Sequence, residues 1–365
     1  MVVIFLGLVA LCLTHPCNDI DNAELVLRNS MDSRMTETSE YNHQPMLQMA
    51  DIPQYSLINS SSAIFENSAE SYNENINSVS AQPTKGYADE TVTVYDLNSG
   101  TRKTLNCFDA VCQIVRNEVG AYYKSGAKAG QTAYHKETIK AHAVAAYTYL
   151  KYNMTRGAIP SVGLNPDVPQ AVIDCVKEVD GQAIFYNNAY ICAVYSASTG
   201  GTTLSGKNCW GSNTPYLASV ESKYDSLGPQ FSFVKVLSVG EVKSLIERNT
   251  NIKLSDNPAN WFKIASVVDG NYVDSLVIYG NSSCVVRGRE RKITGTVFRE
   301  QIIGHSNLRS PAFTIQYKDG SFYFTSYGYG HGVGLSSEGA EQYVIHEGWD
   351  YIQILKHYYT NVTIL

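Results

Sequence analysis

Residues able to do chemistry gather at two places in the chain. The first is Tyr327-Gly-Tyr-Gly-His-Gly-Val-Gly-Leu-Ser-Ser-Glu-Gly-Ala340, where five glycines surround one histidine. Glycine is needed where backbone turns sharply or presses on another surface. Such a segment either offers backbone N–H groups and the His331 imidazole to a ligand or forms a structural turn. Ser336 and Ser337 are placed to cap a following helix, with Glu338 and Glu341 suited to its first turn. The second place is Glu118, in the last turn of a helix predicted over 108–119, just before Gly120. The helix dipole opposes a carboxylate there and raises its pKa slightly.

Other chemistries fit less well. His331 with Ser198 could form a base and nucleophile, but no Gly-x-Ser-x-Gly elbow accompanies the serine. His135 and His142 stand seven apart, which is not a His-Glu-x-x-His zinc site, and His346-Glu347 lacks a second histidine. Cys107 and Cys112 are five apart, while Cys175, Cys192, Cys209 and Cys284 stand singly, so no tetrahedral set is completed. Small buried thiols are the expected state of most of them. No cofactor is expected.

The elements that must position these groups read as follows. Thr91 to Tyr95 alternates apolar and polar residues, and Thr101 to Leu105 returns across Asn98-Ser-Gly100 as a hairpin. The helix over 108–119 buries Val111, Ile114 and Val115. The strongest helix runs over 135–152, with Ile139, Ala143, Ala146 and Leu150 at helical spacing and alanines that permit close packing. A helix over 171–179 follows, then strands over 183–186 and 190–195 around Asn187-Asn188. Phe313 to Tyr317 and Ser321 to Thr325 form a hairpin across Lys318-Asp-Gly320, and helices over 338–346 and 351–359 close the chain. The fold class is α+β with antiparallel hairpins and several helices. No βαβ repeat is evident.

Charge divides the chain. Residues 1–90 hold 12 Asp/Glu and 3 Lys/Arg, a net −9, whereas the remainder is +3. That mild excess suits an anionic polymer and is too small to argue for nucleic acid. Val2 to Leu13 is an apolar run of signal-peptide length, so residues 1–16 read as an export signal or membrane anchor, against a buried strand. Residues 17–90, rich in Asn, Ser, Glu and Met, read as a flexible, disordered linker ahead of one folded domain over 91–365.

Five motifs in order carry a family resemblance. They are Asn117-Glu118, Glu137-Thr-Ile-Lys-Ala-His-Ala-Val-Ala-Ala-Tyr-Thr-Tyr149, Tyr195-Ser-Ala-Ser-Thr-Gly-Gly-Thr-Thr203 with Trp210-Gly211 and Pro215-Tyr-Leu217, Arg287-Gly-Arg-Glu290 with Leu308-Arg-Ser310, and Gly330-His-Gly-Val-Gly334 followed by Tyr358-Tyr359. Together they resemble the SpoIID/LytB family, the stage II sporulation protein D and amidase-enhancer group of spore-forming bacteria, across roughly residues 91 to 365. The resemblance implies a lytic transglycosylase, a carbon–oxygen lyase that cuts peptidoglycan glycan strands during engulfment. It implies an exported, membrane-anchored or wall-associated protein. It further implies a cell-wall amidase and a membrane component of the engulfment machinery as partners. The alternative it carries is a non-catalytic enhancer of an N-acetylmuramoyl-L-alanine amidase.

A lytic transglycosylase needs one carboxylic acid of raised pKa, which protonates the leaving oxygen and then takes the proton of the muramic 6-hydroxyl as that oxygen closes onto C1. By motif match Glu118 is the expected catalytic residue. The expected substrate-binding residues are Lys140, Tyr147, Ser198, Thr199, Gly200, Gly201, Trp210 and His331, with Trp210 and Tyr216 as sugar-stacking or core aromatics. This chain departs from the family's frequent pattern at Tyr147 (often Arg), His142 (often Gln) and Ser196 (often His). The loop holding His331 is expected to share one cleft with Glu118.

Overall fold

A computed structural model of the chain describes residues 90–119, 134–229 and 231–365. The expected leader over 1–16 and the expected linker, apart from its last residue, lie outside the described residues. The described part is α+β.

It begins with the predicted hairpin. Strands β1 (Thr91–Asp96) and β2 (Thr101–Asn106) pair antiparallel around a turn in which Gly100 takes φ +69°. Helix α1 (Cys107–Val119) and the long helix α2 (Lys136–Met154) pack on one another. α2 departs from the one-faced reading: every residue from Thr138 to Leu150 is buried. It is the central rod of the larger core, which explains why its apolar periodicity is weak and its alanines many.

A short β3 (Ser161–Val162) adds parallel to β1, and α3 (Gln170–Glu178) packs beside α2. Strands β4 (Ile184–Tyr186) and β5 (Ala189–Tyr190) turn through Asn187 and Asn188, both at positive φ. The strand expected over 190–195 does not continue; it gives way to β6 (Tyr195–Ser196) and then to the short helix α4 (Gly206–Trp210).

A second core is built from sheets. Strand β7 (Ser232–Ser238) precedes α5 (Val239–Asn249), and β8 (Phe262–Val268) pairs with β9 (Tyr272–Ile278), as β10 (Ser283–Val286) does with β11 (Arg289–Lys292). β12 (Phe313–Lys318) and β13 (Ser321–Tyr327) form the expected hairpin, with β7 on the far side of β13. Trp261, Phe298, Phe322 and Phe324 fill this core.

The chain then returns to the first core. β14 (Leu335–Ser336) pairs parallel with β6, a contact between segments about 140 residues apart that local pattern could not announce. Helix α6 (Ser337–Glu347) is capped by Ser336, whose hydroxyl accepts from the Gly339 N–H at 3.1 Å. It ends at Gly348 in the left-handed conformation, before α7 (Tyr351–Tyr358). The six cysteines among the described residues are buried free thiols, as expected.

Candidate functional site

Glu118 sits where the dipole reading placed it, in the last turn of α1. Its setting is built from the β1–β2 turn. The Asn98 amide donates to Asn117 Oδ1 at 3.0 Å and to the Leu164 carbonyl at 2.8 Å. Asp96 accepts from the Asn98 and Leu164 N–H groups at 3.1 Å each and pairs with Lys103 at 2.7 Å. Burial pushes the Asp96 carboxyl up, but Lys103, Ser99 and the two amides together hold it below the usual carboxylate range. Gly163 lies flat beneath Asn117; a Cβ there would stand 2.3 Å from Asn117 Nδ2. Asn117 so held donates weakly to Glu118 Oε1, at 3.3 Å.

The other carboxyl oxygen of Glu118, Oε2, is buried and has no hydrogen-bond partner among the described residues. A carboxylate stripped of water with one long donor is disfavoured as a charge. Burial accordingly pushes Glu118 up to about 8, against a small opposing effect of Asn117. The residue as a whole is partly exposed, so the group is shielded without being sealed away. Burial, and next the charge of Glu118, lift the Tyr195 hydroxyl well above its ordinary pKa, with Tyr149 and Tyr359 adding to the effect. His142 meets the Tyr195 ring edge-on at 5.4 Å.

The residues expected beside Glu118 go elsewhere. Lys140 is buried, bonded to Glu137 at 2.7 Å and near Glu178 at 3.4 Å, with its ammonium 4.9 Å above the Tyr351 ring. Burial alone would lower the Lys140 pKa, and the two glutamates raise it overall. Tyr147 has no exposed surface and points its hydroxyl to Glu90 at 3.5 Å. Tyr216 is a core aromatic whose hydroxyl accepts from the Cys192 N–H at 3.3 Å.

Ser198 and Thr199 turn inward to Asp225, a buried carboxylate with no motif around it in the sequence. Asp225 Oδ2 accepts from the Thr199 N–H at 3.0 Å and from its hydroxyl, and Oδ1 from Ser336 at 2.6 Å and Ser198 at 3.5 Å. Burial raises the Asp225 pKa and these donors oppose the rise. Gly200 donates to the Tyr272 hydroxyl at 3.3 Å and lies against Ala312. Gly201, at φ +98°, is partly exposed with open space over its Cα.

The Gly-rich loop also resolves to packing. A Cβ on Gly332 would fall 2.2 Å from the Tyr272 hydroxyl, and one on Gly334 would fall 2.1 Å from the Val194 carbonyl. These glycines let the loop lie close against Tyr272 of β9 and the Val194 backbone. The His331 ring has no exposed surface. Its Nδ1 accepts from the Val333 N–H at 2.9 Å and lies 3.3 Å from Ser196 Oγ, and its ring meets Trp210 edge-on, 5.1 Å between centroids. Burial, and next Arg299, hold it neutral, down at about 3. Tyr195 and Ser196 are consecutive on β6, and successive strand side chains point to opposite faces. Ser196 faces His331, and the charge of Glu118 reaches Tyr195 on the other face of β6. Trp210 stays partly exposed at the end of α4.

The sequence reading did not assign Asp225 or Tyr195. Tyr195 opened a motif already singled out, so its position was available; Asp225 had no such signal. Among the described residues no group of His, Cys, Asp and Glu is arranged to hold a metal ion.

No family model matches the chain. It is similar to the stage II sporulation protein D of Bacillus amyloliquefaciens, 29% identical over 193 residues that make up 53% of this chain and 50% of the relative. The same protein of Bacillus subtilis matches to the same extent. The amidase enhancer of Bacillus subtilis is 27% identical over 62% of this chain and 38% of its own length. The chain thus spans about half the length of the sporulation relatives it matches. These similarities support assigning the chain to the SpoIID/LytB family.

Proposed function

We propose that this protein acts on the bacterial cell wall in sporulation, as a peptidoglycan lytic transglycosylase with Glu118 as its acid and base. The relatives' names support the cell-wall role. The observation that supports the chemistry is the state of Glu118, a buried carboxyl on a partly exposed residue, pushed up to about 8 by burial, with Oε2 unpartnered among the described residues. About nine-tenths of such a group is protonated at pH 7. The proton passes to the glycosidic oxygen as the C1–O bond breaks. The Glu118 carboxylate then takes the proton of the muramic C6 hydroxyl while that oxygen bonds to C1. A 1,6-anhydro end forms, no water is consumed, and Glu118 finishes protonated. Gly201 and Trp210, both partly exposed, are the remaining proposed sugar contacts.

One observation favours a second reading. Lys140, Tyr147, Ser198, Thr199 and His331 are all buried in contacts with protein, so the site offers few open polar side chains. A non-catalytic enhancer of a cell-wall amidase needs fewer, and one relative bears that name. Purified protein incubated with glycan strands stripped of stem peptides, followed by mass spectrometry, separates the two. Products with anhydro-muramic ends support the transglycosylase. Intact strands, together with stimulation of an added N-acetylmuramoyl-L-alanine amidase, support the enhancer. No helix among the described residues is long and apolar enough to cross a membrane.

A further inference from the structure

His142 is 1% exposed, yet neither of its ring nitrogens has a hydrogen-bond partner among the described residues. Buried polar atoms are nearly always paired, and each exception calls for a reason. Packing does not supply one, because a phenylalanine would occupy a similar volume with no polar atom to satisfy. His142 lies on the face of α2 that also carries Tyr149, seven residues or about two turns further on. Its ring meets Tyr195 edge-on, 5.4 Å between centroids and 80° between planes. The charge of Glu118 in turn reaches Tyr195, and Glu118 Oε2, like the His142 ring, has no hydrogen-bond partner among the described residues. Two unmet polar groups, one from α1 and one from α2, therefore act on a single tyrosine, His142 by ring contact and Glu118 through its charge. Tyr149, Tyr195 and Tyr359 are the other titratable groups facing the spot, from α2, β6 and the residue after α7.

The donor inventory of an imidazole suits this place. Burial keeps His142 neutral, down at about 4, and a neutral ring has one N–H donor and one bare nitrogen acceptor. A carboxylic acid needs an acceptor for its proton, and a carboxylate needs a donor. A neutral imidazole meets both states through one ordered water, the two groups having no direct bond.

We propose that His142 is a positioning residue of the Glu118 site, presenting an acceptor to the acid that Glu118 begins as and a donor to the carboxylate that it becomes. The proposal rests on the reading of Glu118 as the proton donor, but its test requires no substrate. The full chain is labelled with 13C at glutamate carboxyls and 15N in histidine rings, and the Glu118 signal is assigned by its loss in Glu118→Gln. In His142→Phe the Glu118 midpoint is expected to rise by about one unit, a tenfold loss of carboxylate at a given pH, because the charged form loses a donor. In His142→Gln, which keeps one donor and one acceptor group, it is expected to stay near the unaltered value. An unmoved midpoint in His142→Phe, or equal shifts in both variants, would overturn the proposal in favour of simple packing. Should His142→Phe fail to fold, the unaltered protein decides. Its His142 ring signals must shift through the same midpoint as Glu118, and signals static across that range would also overturn it. A protein that shows this coupling but cleaves no glycan would instead tell against the transglycosylase reading alone.

Discussion

Glu118 and Asp225 are both carboxylates withdrawn from water, and they are equipped in opposite ways. Asp225 collects the Thr199 N–H and the hydroxyls of Thr199, Ser336 and Ser198. Glu118 has one long bond from Asn117 and one oxygen with none. Burial raises the pKa of each, but only Asp225 has a full set of donors in opposition. The difference teaches what burial alone does not decide. A carboxylate surrounded by donors ties segments together, here the 198–199 loop to the cap of α6. A carboxyl left short of donors holds a proton that it can lend.

The largest effect expected from this contrast is at Glu118. Glu118→Gln keeps the shape but cannot donate and recover a proton, so glycan cleavage should fall about 10³-fold or more. Its stability should be unchanged or slightly higher, since an unmet buried carboxyl is removed. Residual turnover within tenfold of the unaltered protein would break the contrast at its functional end.

At Asp225 the pattern should invert. Asp225→Ala leaves several buried donors unmet, and a loss of about 4 kcal/mol is expected, with urea midpoints as the measurement. Asp225→Asn, which keeps one acceptor oxygen, should lose about half of that. Variants as stable as the parent would show that the donors around Asp225 contribute little.

Gly332→Val sharpens the same distinction for the His331 loop. The substitution forces a β-branched residue to φ +80° and against Tyr272, so about 3 kcal/mol of stability should be lost. His331 faces protein, so the properly folded fraction should bind glycan with unchanged affinity. Weakened binding by that fraction would restore the loop as a cleft wall.

The smallest change is expected for Ser198→Ala. The Ser198 bond to Asp225 is long, at 3.5 Å, and the other donors remain. A loss of about 0.5–1 kcal/mol in thermal unfolding is expected, with cleavage unaltered. Abolished cleavage would reopen the serine as a chemical group.

The contrast also marks what the sequence could and could not say. The β12–β13 hairpin was legible because Lys318-Asp-Gly320 demands positive φ, which Asp319 and Gly320 take at 50° and 76°. The length and alanines of α2 gave the helix; the dipole reading at the end of α1 expected a slight rise in the Glu118 pKa, whereas the cause in the structure is burial, which local pattern did not announce. Partners brought together by distant pairing were not legible. The glycines around His331 read equally well as a ligand cradle or as close packing, and only the Val194 and Tyr272 atoms across from them decide between the two. Lys140 and Tyr147 matched a motif, but which way each pointed depended on Glu137, Glu178 and Glu90. Asp225 was invisible because its donors come from segments 26 and 111 residues away.

The account stands on the proton of Glu118, and the titration of that carboxyl in the intact protein tests it most directly. A folded-state midpoint above the ordinary 4.5 means that the native state holds a proton that the unfolded chain has released. Stability should therefore decline as pH rises from about 4.5 toward 8, and this decline should vanish in Glu118→Gln. Carboxyl-carbon NMR of the labelled protein is predicted to give Glu118 a midpoint near 8, with glycan cleavage falling through the same pH. A midpoint near 4.5 would contradict the account, since Glu118 would then hold almost no proton to give at neutral pH.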